Sequence, residues 1–228
     1  MDASLVAAVE TGLAAAADPA KAPDMQRYMK SDMPFFGVAK PQRAALVKAL
    51  FQAHPIADRT TWVDTMAALW REATHREQRY VALDLAGHKP YQRWQDVDLL
   101  PLYEEFIVTG AWWDYVDEVA SRRVGPLLRQ DPDTIAPRLR TWAKDDDRWK
   151  RRTSIICQLA AKQATDTDLL TDTIEANIDD PDFFLRKGIG WALREYAKTE
   201  PGWVRHFVDT HPGLSPLSRR EALKHLAQ

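Results

Sequence analysis

The sequence predicts an all-α protein, a helical-repeat solenoid, on three observations. Apolar residues recur at three- and four-residue spacing almost throughout, no stretch alternates as a half-buried strand does, and helix starts repeat at a period that suits stacked helical pairs. Helices are read, in order, at 3–16, 22–30, 40–53, 58–71, 75–88, 97–109, 112–128, 132–143, 148–162, 166–178, 182–198, 201–210 and 216–227. In the third, Ala45, Leu46, Ala49, Leu50 and Ala53 form one stripe, and Pro41 fits the first turn, where its missing N–H costs nothing. Pro55, Pro90, Pro101, Pro132, Pro181, Pro201 and Pro212 fall mostly between helices, where they stop one and start the next. Starts at Glu77, Trp112, Trp149 and Phe184 are separated by 35, 37 and 35 residues. A helical pair of that length cannot bury its apolar face by itself, so neighbours stack into a curved array whose inner helices line a concave groove. Such a groove can receive a rod-like polymer or another protein, and the fold does not choose between them.

Composition narrows the chemistry. With 228 residues, 45% hydrophobic and 28% charged, the chain can bury a core, and the absence of a long linker reads as one domain over 1–228. The single cysteine, Cys157, lies in an apolar run, which leaves no disulfide framework or zinc quartet and suits a reducing cytoplasm. Residues 1–20 show no secretory pattern, and no stretch approaches the roughly 20 apolar residues of a membrane span. Only nine glycines are present and none builds a phosphate loop, so no nucleotide cofactor is expected. The histidines at 54, 75, 88, 206, 211 and 225 form no compact ligand motif, so no metal is expected either.

Net charge is −2, against the strong basic excess usual in nucleic-acid-binding domains. The average conceals clusters: Arg148, Lys150, Arg151 and Arg152, then Arg186 and Lys187, then Arg219, Arg220 and Lys224. Residues 1–147 hold 18 Lys/Arg against 22 Asp/Glu, whereas residues 148–228 hold 13 against 11. One face can therefore be basic while the whole is not.

Nine tryptophans are many for this length. Trp62, Trp70 and Trp142 read as core, whereas Trp112 and Trp113, Trp149 and Trp191 stand beside charges. Trp113 and Asp117 are four apart and share one helix face, an indole beside a carboxylate. As core this pair is costly unless Asp117 is paired, for example with Arg152 of the next repeat. As a site it has a use: the ring face attracts a cation, worth about 0.5–2 kcal/mol, and the carboxylate stabilises a second developing positive charge. An N-alkylated purine leaving a deoxyribose that becomes oxocarbenium-like presents both, and needs no strong general acid.

Five segments carry a family resemblance. They are Arg27-Tyr28-Met29-Lys30, the run Ala111 to Asp117, Trp149-Lys150-Arg151-Arg152, the run Phe183 to Thr199, and Leu214 to His225. In order and spacing, from about residue 20 to 227, they resemble the AlkD-type DNA alkylation repair family. The resemblance implies a HEAT-like α-α superhelix with a concave DNA-binding groove, and a monofunctional DNA glycosylase that starts base excision repair by hydrolysing cationic N3- and N7-alkylpurines from duplex DNA. Trp113 and Trp191 would form an aromatic cleft at the lesion and Asp117 the catalytic carboxylate. Arg152 would contact the DNA backbone and Tyr28 would lie near it, while Lys150, Arg151, Arg186 and Lys187 would grip phosphates. No cofactor is implied, and a monomer in the cytoplasm is expected. Residues 120–125 depart from the family pattern, with Arg122 and Arg123 where an apolar stretch is expected. Some family members bind DNA structures without excising bases, so a non-catalytic scaffold for DNA or a protein is the alternative.

Overall fold

A computed structural model describes residues 1–226, and every regular element among the described residues is helical. Contacts divide the chain into two compact units, Met1–Trp94 and one that begins at Gln95.

The first unit holds α1 (Ala3–Ala15), α2 (Ala22–Met29), α3 (Lys40–Ala53), α4 (Arg59–Arg71) and α5 (Arg76–Ala86), followed by a 3-10 turn over Lys89–Trp94. Asp2 and Asp58 cap α1 and α4 with their carboxylates. Trp62 and Trp70 are fully buried, as their spacing predicts. The connection from α2 to α3 is gripped by the start of α5. The buried Glu77 carboxylate accepts from the backbone N–H groups of Phe36, Gly37 and Val38 at 3.0, 2.9 and 3.0 Å. Gly37 sits at φ +87°, and a Cβ there would meet the Asp18 carbonyl oxygen at 2.2 Å, so only glycine fits this turn.

The second unit opens with a 3-10 turn at Val97–Leu99 and continues through α6 (Leu100–Gly110), α7 (Trp113–Val119), a π-helical turn over Ala120–Val124, and α8 (Gly125–Gln130). Then come α9 (Pro132–Trp142), α10 (Arg148–Ile156), a 3-10 turn at Lys162–Ala164, α11 (Thr167–Glu175), α12 (Phe183–Tyr196), α13 (Pro201–Thr210) and α14 (Pro216–Leu223). Helices α7, α10, α12 and α14 pack on one another in succession, while α9, α11 and α13 pack beside them. That is the packing of a helical repeat, in which each unit buries its apolar face on its neighbours. The N-cap residues of the successive inner helices are Trp112, Asp147, Asp182 and Ser215. Asp147 and Asp182 thus stand slightly before the predicted repeat starts Trp149 and Phe184.

Boundaries differ where local chemistry overrides periodicity. The predicted helix 112–128 carries a π turn within it and runs on to Gln130, and the one at 148–162 ends at Ile156. There Ala160 and Lys162 adopt left-handed φ of +66° and +54°. The Gln158 amide holds the turn by donating to the Asp166 carbonyl and accepting from its N–H, at 2.9 and 2.8 Å. The last helix stops at Leu223, and residue 227, its predicted end, lies outside the described residues. Pro137 sits inside α9.

Candidate active site

Helix α7 is short and lacks a side-chain cap, with Trp113 in its first turn and Asp117 one turn on, both half-buried. From α10, Arg152 reaches Asp117 with a fork of two bonds: Nε donates to Oδ1 at 2.7 Å and Nη2 to Oδ2 at 2.9 Å. The side chains are 5% and 16% exposed, so this is a largely buried bidentate pair. The third edge of the guanidinium is used as well, since Nη1 donates to the Phe184 carbonyl in the first turn of α12. One arginine thus ties three inner helices together.

Room for it comes from Gly188. A Cβ at that position would lie 3.1 Å from Arg152 Nη1 and 3.4 Å from Ile156. Three residues on, Trp191 stands on the same face of α12 and packs half-buried against the core. An indole therefore lies one helical turn from Asp117, in Trp113, and another one turn from the glycine against which Arg152 rests, in Trp191. Burial pushes the Asp117 carboxyl above its ordinary value; the Arg152 guanidinium opposes that shift, and the Asp114 carboxylate adds to it.

The family model described as "DNA alkylation repair enzyme" matches residues 9–226. A solved structure titled "Predicted DNA alkylation repair enzyme from Enterococcus faecalis" is 32% identical, with a TM-score of 0.83, over 93% of this chain and 97% of that one. The chain belongs to the DNA alkylation repair enzyme family. Curated proteins provide no match. Membership gives this family member a role in alkylation repair and DNA as its partner.

In this DNA alkylation repair family member the cluster at 148–152 and Lys187 are engaged with acids. Lys150 lies between Glu104 and Asp145, at 2.7 and 2.6 Å, with only 15% of its side chain exposed. Burial works against its charge, but the two carboxylates outweigh that and hold the ammonium above its ordinary value. Arg151 binds Asp180 at 2.6 Å, and Arg186 Nε donates to the Asp180 carbonyl at 2.9 Å. Lys187 binds Glu221 at 2.8 Å and is 40% exposed. Tyr28 lies in the first unit, on α2, with its side chain in solvent. The structure brings Asp117, Arg152 and Trp113 together and sets Trp191 on the helix that Arg152 reaches.

Trp149 does not join them. It is buried in an aromatic cluster with Trp112 and Phe184, at centroid distances of 6.0 and 4.9 Å, and belongs to the core despite its charged neighbours. Of the arginines in 120–125, Arg123 is tucked against Glu118 and Arg122 reaches the same carboxylate from solvent. The sequence reading missed the carboxylates that organise the site. Asp145 and Asp180 each accept from the N–H two residues on, at 2.9 and 2.8 Å, while Asp147 and Asp182 cap α10 and α12. The signal was available as an Asp-x-Asp pattern repeated 35 residues apart.

Among the described residues no group of His, Cys, Asp and Glu is placed to hold a metal ion. Cys157 is buried, which pushes its thiol up to about 12 and leaves it inert at neutral pH. No helix among the described residues is long and apolar enough to cross a membrane.

Proposed function

We propose that the protein is a monofunctional DNA glycosylase that excises cationic N3- and N7-alkylpurines from duplex DNA. The observation that carries this reading is the Asp117 carboxylate, held by Arg152 in a largely buried position one turn from a half-buried indole. In the reaction the C1′–N bond breaks and its electron pair neutralises the cationic base. Asp117 stabilises the oxocarbenium-like sugar, water adds to C1′, and a proton passes to solvent, leaving a free base and an abasic site. Trp113 and Trp191 supply ring faces to the lesion-bearing nucleotide.

Hydrolysis by water is favoured over an amine-linked intermediate, because the amines of Lys150 and Lys187 are both engaged by carboxylates. Arg186, Lys187 and Tyr28 are the proposed phosphate and backbone contacts. Lys150 and Arg151, closed in by acids, act more through the local positive field, and Arg152 acts on DNA through Asp117 and the helix ends it joins. The second reading, a non-catalytic scaffold, is favoured by one observation, that Arg152 satisfies Asp117 as it would in a structural ion pair.

The deciding experiment measures release of N7-methylguanine and N3-methyladenine from methylated duplex, comparing the parent with Asp117→Asn. Release by the parent, with loss of most of it in the variant while DNA binding persists, is the expected result. Parental excision by Asp117→Asn would remove the carboxylate from the mechanism, and binding without release by either protein would select the scaffold.

A further inference from the structure

Lys187, Trp191 and Arg194 fall at i, i+4 and i+7 of α12, one above another on one face. Both cations are held from a different helix. Glu221 of α14 spans them, its Oε1 accepting from Lys187 Nζ at 2.8 Å and its Oε2 from Arg194 Nη1. The carboxylate is only 10% exposed, and the neighbouring Lys187 ammonium holds its carboxyl below the ordinary value, so it stays charged at neutral pH.

The chain is built to bring Glu221 this close. A Cβ on Gly190 would lie 2.6 Å from Glu221 Cβ and 3.0 Å from the Ser218 carbonyl oxygen, so α14 rests directly on the backbone of α12. Ser218 adds a bond from its hydroxyl to the Arg186 carbonyl at 2.9 Å, and Ser215 caps α14 by accepting from the Ser218 N–H at 3.0 Å.

We propose that Glu221 is a positioning residue for the Trp191 face: by bridging Lys187 and Arg194 it fixes the indole between two oriented cations and presents their surplus positive charge to the DNA backbone. The inference rests on the reading of Trp191 as part of the site. Two cations on one carboxylate leave a net charge of +1, and each cation retains N–H groups beyond the one given to Glu221.

Glu221→Gln keeps the volume and removes the charge. Three readouts are taken: the single-turnover rate of N7-methylguanine release, affinity for undamaged duplex, and the fluorine resonance of Trp191 in fluorotryptophan-labelled protein, assigned with Trp191→Phe. Excision is expected to slow on the order of tenfold, because small misplacements of site groups carry large rate penalties. Undamaged-duplex affinity is expected to hold or tighten, since a negative charge has left the face. The Trp191 resonance is expected to shift and broaden. Gly190→Ala, which displaces Glu221 while keeping its charge, should reproduce the slowed excision and the altered resonance. Parental excision with a parental resonance would overturn the proposal, as would a loss of duplex affinity in step with excision, the mark of general damage to the helical stack. Should the parent itself release no base, the glycosylase reading fails, and the fluorine resonance still decides the role of Glu221.

Discussion

Arg152 and Asp117 carry opposite charges in a place that favours neither. Burial raises the Asp117 carboxyl above its ordinary 3.8, so the folded chain keeps that proton to higher pH than the unfolded chain does. Stability from this site is therefore fullest below 3.8 and declines as pH rises to the folded value, above which the loss is complete. The guanidinium limits the loss, and Arg152→Ala removes that limit. The variant is expected to be destabilised at neutral pH by about 3 kcal/mol, the usual consequence of leaving a buried charge unpaired, and by less as acid protonates Asp117. Urea midpoints against pH check this, compared with Asp117→Asn/Arg152→Ala, which lacks the carboxylate. A constant difference between single and double variants across pH would sink the account. At this scale the sequence was legible where neighbours lie on one helix, as Trp113 and Asp117 do. It was not legible for the Arg152 fork, which joins residues 35 apart and was only one of two readings, nor for Trp149, whose ring is buried although charged residues flank it in sequence.

Helix-level patterning placed the elements well because the inner helices have apolar stripes and, at α10, α12 and α14, polar caps, and both are local. Asp147 accepts from the N–H groups of Trp149 and Lys150, and Asp182 from those of Phe184 and Leu185, so each start is fixed within two or three residues of its cap. The π turn at Ala120–Val124 was not legible, because it answers to packing with a distant segment. Gly125, the residue after it, faces the Cys157 carbonyl, and a Cβ there would stand 2.1 Å from that oxygen. Gly125→Ala must push α8 away from the end of α10, where backbone rather than a flexible side chain resists. A loss of about 1–3 kcal/mol is expected from such overpacking. Thermal unfolding measures it, and an unchanged midpoint would mean that the π turn absorbs the methyl group. Because α7 precedes that turn and α10 carries Arg152, the same variant should also slow excision.

Over the whole chain, a net charge of −2 coexists with DNA as partner, and Lys150, Arg151 and Lys187 on the inner helices are each matched by nearby acids. Those acids orient the cations and also dilute the field that a duplex would feel. Exposure then decides which cations can release counterions from DNA, and two lysines separate the cases. Lys187, at 40% exposure, can meet a phosphate while bound to Glu221. Lys150, at 15% and between two carboxylates, cannot do so without leaving both of them. Lys187→Met should reduce the slope of log affinity against log salt by about one, the value for one lost phosphate contact. Lys150→Met should leave the slope unchanged and instead lower thermal stability, since Glu104 and Asp145 then face each other without their cation. Duplex binding across a salt series, with unfolding midpoints of the same proteins, tests both halves. Equal slopes for the two variants would show that the acids do not sort the cations, and that net charge governs how this chain holds DNA.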